Sequence, residues 1–262
     1  MQGVNRPARA GLGFALVVLV FFAGGADRPE ARDEWTFRPT VLIRKGKAQG
    51  SGTVIASVAN ETLVLTAAHV VEGPGTLSIE LHRYNLGLEA LRSKGNWPRR
   101  VAAEIVARDR AADVAVLRIR KMVALPYVAR LPLEEKEPAR GTVVTSVGID
   151  LGTQLSSWST RVANVERFEI EGAGADRLFV VTGKAPEHGR SGGGLFLKSG
   201  ELVGVCIGRS DAIVKGKVLG VFASGASIRR LLRDHELDEA VVQSAGAARR
   251  APVTATHAGA PK

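Results

Sequence analysis

The chain has 262 residues, 36 Lys plus Arg against 26 Asp plus Glu, a formal net charge of +10 and 30 glycines. That length supports one large β domain or two small ones around a sizeable core. A single cysteine, Cys206, excludes an intrachain disulfide, and the basic residues are scattered rather than interleaved with aromatics, so the charge reads as a solvated surface and specifies no nucleic-acid partner.

At the N-terminus, Arg6 and Arg9 precede the apolar run "GLGFALVVLVFFAGGA". A basic start, a short hydrophobic centre and a small-residue exit form the pattern of a secretory signal peptide. Residues 1–26 are therefore expected to direct export, with the mature protein periplasmic or secreted. The run is short for a membrane span, so the only membrane contact to expect is an uncleaved N-terminal anchor. A charged connector covers 27–39.

Short β-type runs then follow one another: "TVLIRK", "GTVIAS", "TLVLTAA", "LSIELH", "AEIVAR" and "VAVLRI". The stretch from His82 to Arg100 reads as an insertion between strands. A Pro- and Glu-containing link, within 130–141, separates a second series: "TVVTSVG", "STRVANVERFEI", "LFVVTG", "GLFLK", "LVGVCIG" and "VLGVFAS". Each run is β-branched and bounded by Gly, Pro, Asn or charged turns. Helical periodicity is convincing only near the end, where Ser227 is expected to cap a helix carrying Ile228, Leu231 and Leu232 on one face. Two series of about six strands and then a helix predict an all-β fold, two six-stranded antiparallel barrels with a C-terminal helix. The domain is expected over 40–243, and 244–262, poor in large apolar residues, as a disordered tail.

One segment, "APEHGRSGGGLFL", is dense in glycine around Ser191. A phosphate cradle would need Gly, four residues, then Gly-Lys-Ser/Thr; no Lys-Ser/Thr follows here and no helix is predicted behind it. A nucleophilic serine instead needs a histidine base, a carboxylate that orients it, and amide donors for the developing oxyanion. Of five histidines, His82 and His257 read as solvated, His235 lies on the predicted helix and His188 flanks the serine. His69 ends the apolar run "LVLTAAH" at a strand edge. Asp109 and Asp113 are carboxylate candidates, and Asp113 begins "DVAVLRI". Taken singly, a strand-edge histidine and an aspartate at a strand start are ordinary structural residues. Cys206, inside "LVGVCIG", reads as a buried small hydrophobe. No His/Cys/carboxylate cluster has metal-ligand spacing, so no metal or organic cofactor is expected.

The blocks "GSGTVI", "LTAAHVV", "DVAVLRI" and "GRSGGGLF", in that order, resemble the trypsin-like serine peptidase family, most closely its bacterial HtrA (Deg) branch. Asp113 follows His69 by 44 residues and Ser191 follows Asp113 by 78, which fits that family's order and spacing. The resemblance extends from about Thr40 to Asp238. It implies His69 as general base, Asp113 as orienting acid, Ser191 as nucleophile, and the backbone amides of Gly189 and Ser191 as the oxyanion hole. It further implies that Ile207, Gly208 and Arg209 pair with a polypeptide substrate as an added strand, and that Ala185 lies at the floor of the primary specificity pocket. With no acid at that floor, a small or medium apolar side chain is the expected preference. Two positions depart from the family. Arg190 stands where Asp or Asn is usual, and either pairs with an acid or perturbs the loop; Gly194 replaces a frequent Pro or Ala. No PDZ domain is expected after the helix, and an oligomer is left open. The expected activity is that of a serine endopeptidase; the second reading is a catalytically silent domain that binds extended peptides or scaffolds a partner.

Overall fold

A computed structural model describes residues 35–87, 96–132, 136–214 and 216–248. The expected signal peptide, residues 27–34 of the connector and residues 249–262 of the expected tail lie outside the described residues. Strands β1 (Thr40–Lys45), β2 (Ala48–Val58), β3 (Glu61–Ala67), β4 (Leu77–Leu81), β5 (Arg99–Ala102), β6 (Glu104–Asp109) and β7 (Val114–Arg120) form one antiparallel sheet, ordered β5-β4-β1-β2-β3-β7-β6. Tight turns set its register. Lys45 pairs with Ala48 across Gly46, and Val58 pairs with Glu61 across a turn whose Asn60 has φ 68°. Two-residue hairpins need positive φ, which glycine and asparagine tolerate best.

Six more strands form a closed barrel in the order β10-β13-β12-β11-β8-β9: β8 (Val143–Asp150), β9 (Gln154–Glu169), β10 (Asp176–Thr182), β11 (Gly194–Leu197), β12 (Leu202–Val214) and β13 (Lys217–Ser224). The expected six-stranded second barrel is therefore present. The first unit has seven strands rather than six, because one chain segment turns a corner at Ala103 and supplies both edges, β5 and β6. Edges joined through one residue require the sheet to roll on itself, as barrel corners do.

The two sheets meet through an apolar seam. Ile55, Leu63, Leu65, Val114 and Val116 from the first pack with Val147, Phe196, Leu202 and Val205 from the second, all buried. At about 25 cal/mol per Å² of apolar surface, a seam of this kind couples the halves without any covalent staple.

Helix α1 (Gly225–Asp234) closes the seam with Ile228, Leu231 and Leu232, the three residues of the predicted apolar face. Its cap is Ser224, not Ser227: the Ser224 hydroxyl accepts from the Ser227 amide at 3.2 Å. The helix starts earlier than expected because Gly225, buried and small, continues directly out of β13. A second helix, α2 (Asp238–Ala248), was not anticipated, and its last turn runs into the span expected to be disordered. There the buried Ser244 hydroxyl accepts from the Ser57 amide at 2.9 Å, fixing α2 to the end of β2. Among the described residues no helix is long and apolar enough to cross a membrane.

Candidate active site

Strand β3 is buried along nearly its whole length and leads into a 3-10 turn, Ala68–Val71. Ala68, Val70 and Val71 anchor that turn in the core and leave His69 exposed. Asp113 comes from the turn between β6 and β7. The Asp109 carboxylate accepts from the amides of Ala111 and Ala112, and the Asp113 amide donates to the Arg110 carbonyl at 3.2 Å. This winding holds Asp113 at φ 52°. Its main-chain carbonyl receives the Ala68 amide, Oδ1 receives the His69 amide at 2.9 Å, and Oδ2 lies 2.6 Å from His69 Nδ1. The ring is thereby tied at its backbone and at one nitrogen, leaving Nε2 for other work. The hydrogen bond to Asp113 raises the His69 pKa above 6.5, outweighing the lowering effect of burial, and the Glu72 charge adds to the rise.

Ser191 reaches the same place from the other barrel. Its carbonyl accepts the Ser51 amide of β2 at 2.7 Å, the Gly192 amide donates to the Cys206 carbonyl of β12 at 2.7 Å, and the Cys206 amide returns to the Gly193 carbonyl at 2.8 Å. Gly50 sits between the two halves: a Cβ there would meet Val70 Cγ2 at 2.6 Å and the Ser191 carbonyl at 2.9 Å. Absence of that side chain lets the His69 turn and the Ser191 loop close on one another. Among the described residues, Ser191 Oγ makes no hydrogen bond. Contacts of this kind are commonly loose without a ligand and tighten around one.

Before the serine, Glu187–Arg190 closes a β-turn, with the Arg190 amide donating to the Glu187 carbonyl at 3.3 Å and Gly189 at φ 91°. Positive φ at the third residue is the type II signature. Among the described residues, the amides of Gly189 and Ser191 donate to no protein group. Both are therefore available to an incoming oxygen.

Ala185 is half-buried on the same loop. On β12, Ile207 and Gly208 are half-buried and Arg209 is exposed. Gly208 and Arg209 pair with Val221 and Gly220 of β13, whereas β11 pairs no farther along β12 than Val205. From Ile207 to Arg209, that other edge has no strand partner among the described residues, which is what an added strand requires. His188 is exposed beside the loop, and His235 lies in a separate cleft with Arg108, Arg110 and Asp234. His82 stacks on Tyr84 and its pKa is lowered by burial. The Cys206 thiol is fully buried and pushed up to about 12. Among the described residues no group of three or more His, Cys, Asp or Glu could hold a metal ion.

Sequence reading did not single out Ser51 or Asp150. Arg190 pairs with Asp150, with Nε 2.9 Å from Oδ1 and Nη2 2.6 Å from Oδ2, while Ser51 Oγ donates to the Gly189 carbonyl at 2.9 Å. The signal for Asp150 was the "DLG" turn between two alternating strands; nothing short of the fold brings that turn to Arg190.

Two antiparallel β units with a His–Asp pair on one and a glycine-rich serine loop on the other define a chymotrypsin-type serine peptidase scaffold. The trypsin-like peptidase domain family matches residues 50–205, and the chain belongs to that family. Serine protease HTRA1 of Xenopus laevis is 29% identical over 160 residues, 60% of this chain and 31% of that one. A probable periplasmic serine endoprotease, DegP-like, of Halomonas elongata is 29% identical over 160 residues, 61% of this chain and 29% of that one. The chain thus spans about a third of the length of the curated relatives it matches. A protease of M. tuberculosis, in its active form, shares the fold at a TM-score of 0.59 and 20% identity, covering 78% of this chain and 84% of that one.

Proposed function

We propose that the protein is an exported serine endopeptidase. The observation that carries this reading is the double hold of Asp113 on His69, at the backbone amide and at Nδ1, which leaves Nε2 without a protein partner among the described residues. Ser191 Oγ attacks the carbonyl carbon of a peptide bond as His69 Nε2 takes its proton. The oxygen, now carrying the displaced electron pair, is received by the amides of Gly189 and Ser191. Collapse expels the amine, protonated by His69, and leaves an acyl ester on Ser191. Water, deprotonated by His69, then releases the acid and restores the hydroxyl. Ile207, Gly208 and Arg209 hold the substrate as an extended strand, and Ala185 admits a small or medium apolar side chain. Export rests on the basic-then-apolar N-terminus and on the periplasmic description of a relative.

A fluorophosphonate probe tests this directly. The purified protein is expected to be labelled, with Ser191→Ala and His69→Ala both blank. Folded wild-type protein that stays unlabelled and leaves casein intact would refute catalysis and leave a peptide-binding domain.

A further inference from the structure

We propose that Asp150 and Arg190 are positioning residues: an ion pair of a fully buried guanidinium and a half-buried carboxylate that holds the Gly189 amide turned outward, as an oxyanion donor, using only parts within the chain. The inference rests on the peptidase reading above and adds how its oxyanion hole is kept in shape.

Among the described residues Arg190 is the bulkiest fully buried side chain, and it directly precedes Ser191. A buried charge is tolerated only when paired and fully hydrogen-bonded. Here Asp150 grips the guanidinium at two points, 2.9 and 2.6 Å. Nη1 donates to the Ser146 carbonyl at 3.2 Å, Nη2 also reaches Ser156 Oγ, and the guanidinium lies 5.2 Å from the centre of the Trp158 ring. Gly148 makes the room: a Cβ there would lie 2.9 Å from Arg190 Cγ. A two-point Arg–carboxylate grip fixes direction as well as distance.

Direction matters because Asp150 leads straight into the β8–β9 turn. Its carbonyl closes that turn by accepting the Thr153 amide at 3.1 Å, with Leu151 at φ 51° and Gly152 at φ 70°. The Leu151 amide then donates to the His188 carbonyl at 2.8 Å. In a planar trans peptide the C=O and N–H point in opposite directions. With the His188 carbonyl held towards Leu151, the Gly189 N–H is turned away from the β8–β9 turn. Reversing that peptide would leave the Leu151 N–H without its acceptor and turn a carbonyl to where the oxyanion forms. Ser51 adds a second hold: its Oγ donates to the Gly189 carbonyl and accepts the Ile149 amide at 2.8 Å. Residues 146–151 of the second barrel and Ser51 of the first thus grip the loop on both sides of Gly189.

The test uses the full chain, a fluorescent peptide taken from a bond that the wild type cuts in casein, and a peptide aldehyde of the same sequence, whose adduct places an oxyanion in the hole. Asp150→Asn, Arg190→Lys and Ser51→Ala are compared with wild type, and Ile79→Val, a buried change in β4, serves as a control that alters packing alone. One lost oxyanion donor is worth about 10²–10³-fold. Asp150→Asn is expected to lower kcat and aldehyde affinity together on that scale, with KM little changed. Arg190→Lys and Ser51→Ala move the same way by less, and Ile79→Val moves neither. A wild type that cleaves and labels, beside folded variants with unaltered kcat and aldehyde affinity, overturns the clamp. If Asp150→Asn does not fold, Arg190→Lys and Ser51→Ala decide by the same criterion. A wild type that neither labels nor cleaves removes the peptidase reading, and the clamp with it.

Discussion

Replacing Asp113 by Asn tests the site at its most constrained contact. The carboxylate makes two bonds with His69, one to the backbone amide at 2.9 Å and one to Nδ1 at 2.6 Å. Asparagine has one oxygen and one NH₂ for those two places. If its oxygen keeps the backbone amide, its NH₂ faces Nδ1, which must then accept, and the ring proton moves to Nε2. A protonated Nε2 cannot receive the Ser191 hydrogen. If the amide is flipped, Nδ1 keeps its proton but NH₂ confronts the His69 N–H, donor against donor. An unmet donor costs about 1–3 kcal/mol, so the productive orientation is disfavoured by roughly 5- to 150-fold. Loss of the charge that stabilises the developing imidazolium adds to this, giving about 10³–10⁴-fold in kcat overall. Steady-state cleavage across pH reads the result. The His69 pKa, raised chiefly by Asp113, should fall, so the acidic limb of kcat/KM moves down while its plateau drops. Asp113→Asn retaining cleavage within about tenfold of wild type, with the limb unmoved, would show that the pair does not govern the chemistry.

The other expectations concern different links. Wild-type kcat/KM should lose activity on acidification with a midpoint above 6.5, because the base works neutral and its folded pKa is raised. The linked stability has the opposite sense: the protonated ring favours the fold fully below 6.5, and that contribution is lost as pH rises through the folded value. Gly189→Ala places a Cβ 2.8 Å from the Leu151 amide nitrogen and 2.9 Å from the Ile149 carbonyl, at φ 91°; kcat should fall by about 10²–10³ with the fold retained by circular dichroism. Phe196→Ala, a fully buried change at the seam, should cost about 3–5 kcal/mol in urea unfolding. Cys206 should resist a thiol reagent at neutral pH until the protein is denatured, its thiol being buried and pushed up to about 12.

The strands were legible from local chemistry, whereas His69, Asp113 and Ser191 stood out only through the order and spacing of four blocks that resemble a known family, since each taken singly is an ordinary residue. Alternating β-branched runs encode strands, and small residues around Ser191 mark a tight loop. Arg190 was legible only as an anomaly, since its partner lies 40 residues away and is chosen by barrel closure. Helix α2 escaped notice because it rests on contact rather than pattern: Ala-rich and weakly amphipathic, it is held by Ser244 at Ser57. Ser227 lost the capping role to Ser224, since the true start is set by where β13 ends. The seventh strand came from a corner at Ala103 that no residue pattern announces.

The seam also makes the site a joint property of both halves. His69 and Asp113 belong to the first half of the chain, whereas the Ser191 loop is held in the second by the Gly192–Cys206 and Arg190–Asp150 contacts and is tied to the first where its carbonyl accepts the Ser51 amide. Neither half carries base, acid and hydroxyl by itself. Whatever chemistry resides here therefore depends on how firmly the halves are docked, so a packing change at the seam, far from any reacting atom, acts on the site as well as on the fold.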